Sequence, residues 1–257
     1  MAHTHLPSSI LQPYIDYYQE LQFDCHAIRV VLPASAATMV FKFQGDARYP
    51  QQQNDYPQSF AGITGLRKTP RIIHYSQQSR FLVVVFKPAG AAAFFQQPMH
   101  LLSDKSIPLD LLLAKQDLAD TKTTLAQATN IQQRIFAIES FLHRMLLKKP
   151  ADSLIEAAII EIQSACGICK IQELARKYPL SLDAFEKRFK RIVGVTPKQF
   201  AFIARMQAIA SQQNYNGSLT ALAYEFGYYD QSHFHRDFKT FTGQIPKAYF
   251  KTMIVNR

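Results

Sequence analysis

The second part of the chain repeats itself, and this limits the fold more than any other feature. Phe185, Lys187, Phe189, Lys190, Gly194, Pro197 and Lys198 recur 49 residues later as Phe234, Arg236, Phe238, Lys239, Gly243, Pro246 and Lys247. A repeat of this kind marks a duplicated supersecondary unit. A Leu-Ala pair precedes each copy, Leu174-Ala175 and Leu222-Ala223. In the first unit IQELARKY reads as a short amphipathic helix, Pro179 and Leu180 break it, and Ser181 is a good N-cap for LDAFEKRFKRIV. In the second, LTALAYEF is the helix, Gly227 supplies a left-handed stop, and Asp230 caps QSHFHRDFKTF.

Phe185 and Phe189, like Phe234 and Phe238, are four apart and turn one face of the second helix into a core. Small Ala175 and Ala223 let the two helices of each unit approach closely. The opposite face is left for a partner. It carries Asp183, Glu186, Lys187 and Lys190 in one copy and Gln231, Ser232, His235, Arg236 and Lys239 in the other. A helix, a tight turn and a second helix with a polar, basic outer face form the arrangement that reads the DNA major groove. The formal charge of +10 favours a polyanionic partner but does not locate it. Residues 151–257 carry 14 Lys+Arg against 9 Asp+Glu, residues 1–150 carry 15 against 10, and each part is +5. Locally, Arg176, Lys177, Lys187, Arg188, Lys190 and Arg191 share sixteen residues with only two acids, Asp183 and Glu186.

The first part has a different period. HAIRVVL (26–32), TMVFKF (38–43), PRIIHY (70–75) and RFLVVVF (80–86) are β-branched or aromatic runs that read as strands. A polar loop at 45–58 separates two of them, and such short strands suggest a small barrel or sandwich. GAAAFFQQP reads as a short helix, and residues 131–149 place Ile131, Ile135, Ile138, Leu142 and Leu146 at helical spacing before Pro150. The expected fold is α+β in two domains. Residues 1–150 form a cupin-like β-barrel or sandwich with flanking helices and a helical linker at 131–149. Residues 151–257 are all-α with units at 171–192 and 219–241.

LTALAYEFGYYDQSHFHRDFKTFTGQIPKAYF (219–250), with the weaker copy at 171–200, resembles the DNA-binding domain of the AraC family of bacterial regulators. In that family a long helix joins the two units, a role that residues 196–214 are placed to fill. The first turn departs from the family in having Pro179 where glycine is usual. YIDYYQEL, VVLPASAATMVFKFQG, FAGITG, FLVVVFKPAGAAAFF and SIPLDLL resemble, in order, a β-rich domain of unknown specificity found before this DNA-binding domain in some of these regulators. The resemblance implies transcription regulation, with double-stranded DNA as partner. RNA polymerase is a further candidate partner. It also implies an N-terminal domain that binds a small-molecule effector or mediates homodimerisation.

Other candidates are weaker. Cys166 and Cys169 have redox or half-zinc spacing, but no second pair follows and Cys25 is distant, so structural thiols are expected. His3 and His5 lie near the terminus, and His233 and His235 point apart on a helix, so no metal and no cofactor is expected. His74 and Tyr75 end a strand where they could line a pocket, although a half-buried pair is the commoner arrangement. There is no nucleophile beside a base, no paired carboxylates and no phosphate-cradling loop, so the chain is not expected to be an enzyme. The start lacks a secretory pattern and no apolar run is long enough to span a membrane, which points to the cytoplasm. Two alternatives stay open. One is a constitutive DNA-binding protein whose N-terminal domain only oligomerises; the other is an enzyme on the β domain with a DNA-binding tail.

Overall fold

The computed structural model describes residues 3–50, 59–147, 150–212 and 217–255. The β-rich half contains two antiparallel sheets. β1 (His3–His5), β2 (Ile15–Phe23), β4 (Thr38–Gln44), β6 (Ala61–Thr64), β8 (Ser79–Phe86) and β9 (Ser106–Pro108) form the larger, in the order β1-β2-β8-β4-β6-β9. β3 (Ala27–Val31), β5 (Ala47–Arg48) and β7 (Arg71–Tyr75) form the smaller, in the order β3-β7-β5. All four expected runs are strands, and the sheets face each other as an open sandwich rather than a closed barrel. The two-residue β5 lies within the expected polar loop, whose residues 51–58 are outside the described ones.

Strand alternation divides β8 between two interiors. Leu82, Val84 and Phe86 join the main core with Ile15, Tyr18, Met39, Phe41 and Ile63, while Phe81 joins a separate cluster with Phe23, Ile73 and Tyr75. On the core side the sheet is covered by α1 (Lys115–Gln127) and α2 (Ile131–Met145), with Phe41 and Phe141 edge to face at 5.7 Å. Glu139 of α2 accepts hydrogen bonds from the Tyr18 hydroxyl (3.1 Å) and the Ser8 amide (2.7 Å).

Three expectations change here. α2 stops at Met145 instead of running to 149: Leu146 is extended and the Leu147 amide donates to the Ala93 carbonyl at 2.8 Å. Lys148 and Lys149 lie outside the described residues. The helix expected in GAAAFFQQP shrinks to one 3-10 turn, Gly90–Ala93. Of the pair at the end of β7, Tyr75 points inward and is buried, whereas His74 is exposed.

The helical half is α3 (Ser153–Ser164), α4 (Ile171–Arg176), α5 (Leu182–Val193), α6 (Pro197–Ala210), α7 (Leu219–Glu225), α8 (Gln231–Thr242) and α9 (Pro246–Val255). α4 and α5 are the first unit, α7 and α8 the second, and α6 joins them. The caps follow the sequence. Ser181 accepts from the Ala184 amide, Asp230 from the Ser232 amide, and Thr196 with Gln199 forms a capping box on α6. α6 ends at Ala210; residues 213–214 of the expected connector are outside the described ones.

The two halves share one continuous core. A Cβ on Gly194, the C-cap of α5, would lie 3.2 Å from the Met99 carbonyl. One on Gly243, the C-cap of α8, would lie 3.4 Å from Pro70, and Gln207 of α6 donates to the Pro33 carbonyl at 3.3 Å. The β-rich half therefore touches both units and the helix between them.

Gly227 has φ +74°, a left-handed conformation that a β-branched residue adopts only with strain of roughly 1 to 3 kcal/mol. Its Cβ position has space around it apart from Ile168 at 3.3 Å. Gly227→Val is thus expected to lower the melting temperature of the full chain by several degrees. An unchanged melting curve would show that this turn tolerates the strain.

Candidate nucleic-acid interface

Each unit is built around a pair of fully buried phenylalanines. Phe185 and Phe189 of α5 and Phe234 and Phe238 of α8 are all 0% exposed. α6 links the two cores: Phe189 packs edge to face on Phe200 at 5.6 Å, and Phe202 on Phe241 at 6.3 Å. Arg205 of α6 strengthens the join. Its guanidinium donates to the Gly167 carbonyl, at the turn before α4, at 2.8 Å and lies 5.5 Å from the ring centre of Tyr228, at the turn before α8. The Tyr228 hydroxyl in turn donates to Asp237 at 2.9 Å. Burial and that carboxylate hold the Tyr228 phenol protonated well above its ordinary range. These contacts join α5 to α8 through α6.

Asp183, Lys187 and Lys190 of α5 and Gln231, Ser232, Arg236 and Lys239 of α8 are exposed. Glu186 and His235 are half-buried and occupy equivalent flank positions, 49 residues apart. His235 has its Nε2 enclosed without a partner among the described residues. His233 is the more open of the two histidines, with Nε2 3.4 Å from Asp237. Arg191 and Thr240, also equivalent and both exposed, lie on the outer faces. Projecting the helix from the phenylalanine pair would have found them, since the residues farthest around the helix from a buried pair face outward.

The basic run of the first unit is less available than its composition suggests. Lys187 pairs with Asp183 at 2.8 Å, Arg188 pairs with Asp152 at 2.6 Å, and Lys177 pairs with Glu161. Lys190 and Arg191 stay unpaired among the described residues, as do Arg236 and Lys239 of the second unit. At the start of α8 the Ser232 amide holds the Asp230 carboxylate below its usual range.

Between the units lies an open groove of about 980 Å³ whose lining includes Glu186, Lys198, Arg205, His233 and Thr240, together with Lys68 from the β-rich half. Cys25, Cys166 and Cys169 are free thiols. Among the described residues there is no cluster of three or more metal-ligating side chains, and no helix is long and apolar enough to cross a membrane.

Residues 174–252 match the family model of a helix-turn-helix domain, and residues 3–108 match that of a domain of unknown function, DUF6597. An uncharacterized HTH-type transcriptional regulator of Haemophilus influenzae is 27% identical over 190 residues, covering 70% of this chain. The match spans 61% of that relative's length. A crystal structure of ToxT from Vibrio cholerae is 11% identical, with a TM-score of 0.48 over 92% of this chain and 98% of that one. A probable AraC family transcriptional regulator from Rhodopseudomonas palustris is 23% identical, with a TM-score of 0.36 over 40% of this chain and 98% of the other.

Proposed function

We propose that the chain is a helix-turn-helix regulator of the AraC type, which binds specific double-stranded DNA and regulates transcription in response to a small molecule held by its β-rich half. α5 and α8 enter successive major-groove segments, with Lys187, Lys190, Gln231, Ser232, Arg236 and Lys239 as the contacting side chains. Asp183 shares that surface through its bridge to Lys187, Glu186 and His235 border it, and Arg191 and Thr240 extend it. One observation carries the reading: two recognition helices with matched outer faces are fixed to a common frame through α6. Residues 151–257 are the DNA-binding domain and residues 1–150 the sensing and dimer-forming domain. The chain acts in the cytoplasm without catalysis or cofactor, and a second copy and RNA polymerase are its protein partners.

The two helices are expected to contribute unequally. Arg236 is exposed and has no ion-pair partner among the described residues, whereas Lys187 is already bridged to Asp183. An arginine reading a base edge carries about 1 to 3 kcal/mol of discrimination, so Arg236→Ala should weaken specific binding roughly 5- to 150-fold. Lys187→Ala should cost clearly less. A gel-shift titration of the two full-length variants tests this, and equal losses would contradict it.

A further inference from the structure

The two sheets enclose a cavity of about 420 Å³, a size that suits a small organic ligand. Its walls are mainly apolar and aromatic, including Val40, Ile73, Phe81 and Val83, with the polar side chains of Gln19 and Thr38 among them. Three arginines line it: Arg29, which is exposed and lies 4.9 Å from the ring centre of Phe23, and the more buried Arg71 and Arg67. Arg71 takes an inward position on β7 and is only 7% exposed. Its two terminal nitrogens reach one hydroxyl, Thr64 Oγ1, at 3.3 Å each, and its guanidinium lies 4.6 Å from the ring centre of Tyr49. Its Nε has no partner among the described residues. Arg67 is half-buried, donates to the Asp104 carbonyl at 2.8 Å, and also has an unpartnered Nε. Neither guanidinium forms an ion pair among the described residues.

Such an arrangement is costly as it stands. A buried charge without a counter-ion is strongly disfavoured. Burial lowers the proton affinity of Arg71 below the ordinary guanidinium range, and the nearby Arg67 cation lowers it further. Burial does the same to Arg67, with Asp104 opposing it. An anion in the cavity would relieve the desolvation and the repulsion together. The guanidinium fork matches a carboxylate best, because two parallel N–H···O bonds fit its two oxygens. The mainly apolar walls favour an apolar body.

We propose that this cavity binds a monocarboxylate with an apolar body, its carboxylate held by Arg71 and Arg67 and its body packed between the two sheets. The proposal rests on the reading of the β-rich half as a sensor. The site also has a route to the DNA-binding surface. Arg67 and Arg71 bracket Lys68 and Pro70, and those residues meet the inter-unit groove and the C-cap of α8. Filling the cavity therefore acts on the segment that touches the second recognition helix.

The test titrates the full chain with octanoate and naphthoate, and with octanol and naphthyl methanol as uncharged counterparts, by calorimetry and thermal shift. At least one acid should bind about tenfold or more tightly than its alcohol, the range expected when a charge-assisted pair replaces a neutral one. Arg71→Met, which keeps the unbranched stem, should erase that preference; if it does not fold, Arg67→Met should reduce it. The proposal is overturned if neither acid binds, if acid and alcohol bind equally, or if the preference survives both substitutions. Gel shifts of the unliganded chain separate the two levels. DNA binding without acid binding defeats only this inference, while absence of DNA binding defeats the regulator reading itself.

Discussion

Phe238→Ala should destabilise the full chain by about 3 to 5 kcal/mol, the usual cost of emptying a fully enclosed phenylalanine site. Phe238 is 0% exposed and its ring packs 5.7 Å from Phe234, 5.3 Å from Tyr249 and 5.6 Å from Phe250, centre to centre. It therefore joins α8 to α9 and supports the face that carries Arg236. Three aromatic rings cannot collapse into the space left behind, since α8 is also held by its caps at Asp230 and Gly243. Denaturant unfolding should show a lower midpoint with loss of DNA affinity near physiological temperature. A loss of less than about 1 kcal/mol would mean that the second unit is packed more loosely than the structure indicates.

Gly167→Ala should cost roughly as much for a different reason. Gly167 has φ +71° and follows Cys166, which is itself left-handed at φ +48°. Its Cβ position would lie 2.0 Å from the Ala201 carbonyl oxygen and 2.8 Å from the Arg205 amide, both backbone atoms of α6. No side-chain rotation can relieve a collision with backbone, so α4 must move away from α6. Strain of about 1 to 3 kcal/mol for the conformation adds to about 1 to 3 kcal/mol or more for overpacking. Thermal unfolding should rank Gly167→Ala as more harmful than Gly227→Val, although alanine is the smaller residue. The opposite order would show that the approach of α6 to this turn is not what requires glycine.

The parts of the fold that were legible depend on local rules. The four strands announced themselves through β-branched and aromatic runs, and the two units through a repeat whose phenylalanines, caps and glycines each have a short-range role. What was not legible is non-local. Whether the β-rich half closes depends on β3 pairing with β7 rather than with β2, which no short window encodes. The basic run of the first unit loses Arg188 to Asp152 and Lys177 to Glu161, partners that flank or belong to α3 and become visible only once α3 packs on the unit. PRIIHY offers His74 and Tyr75 together as pocket residues, yet only Tyr75 faces the cavity, beside Arg71 and Ile73, because pairing with β3 fixes which parity of β7 points inward. Glu186 and His235 are different: projection of the helix from the phenylalanine pairs, a local rule, already places both on the flank rather than on the outer face.

The central claim is that one chain presents two recognition helices to DNA at the same time. Hydroxyl-radical and methylation-protection footprinting of the full chain, on sequences selected from random duplexes, tests it most directly. The account predicts two protected major-groove segments on one face of the duplex, about one helical turn or 34 Å apart for each bound chain. Arg236→Ala should remove protection chiefly from one of them. A single protected segment per chain, or binding with no sequence preference at any salt concentration, would contradict it.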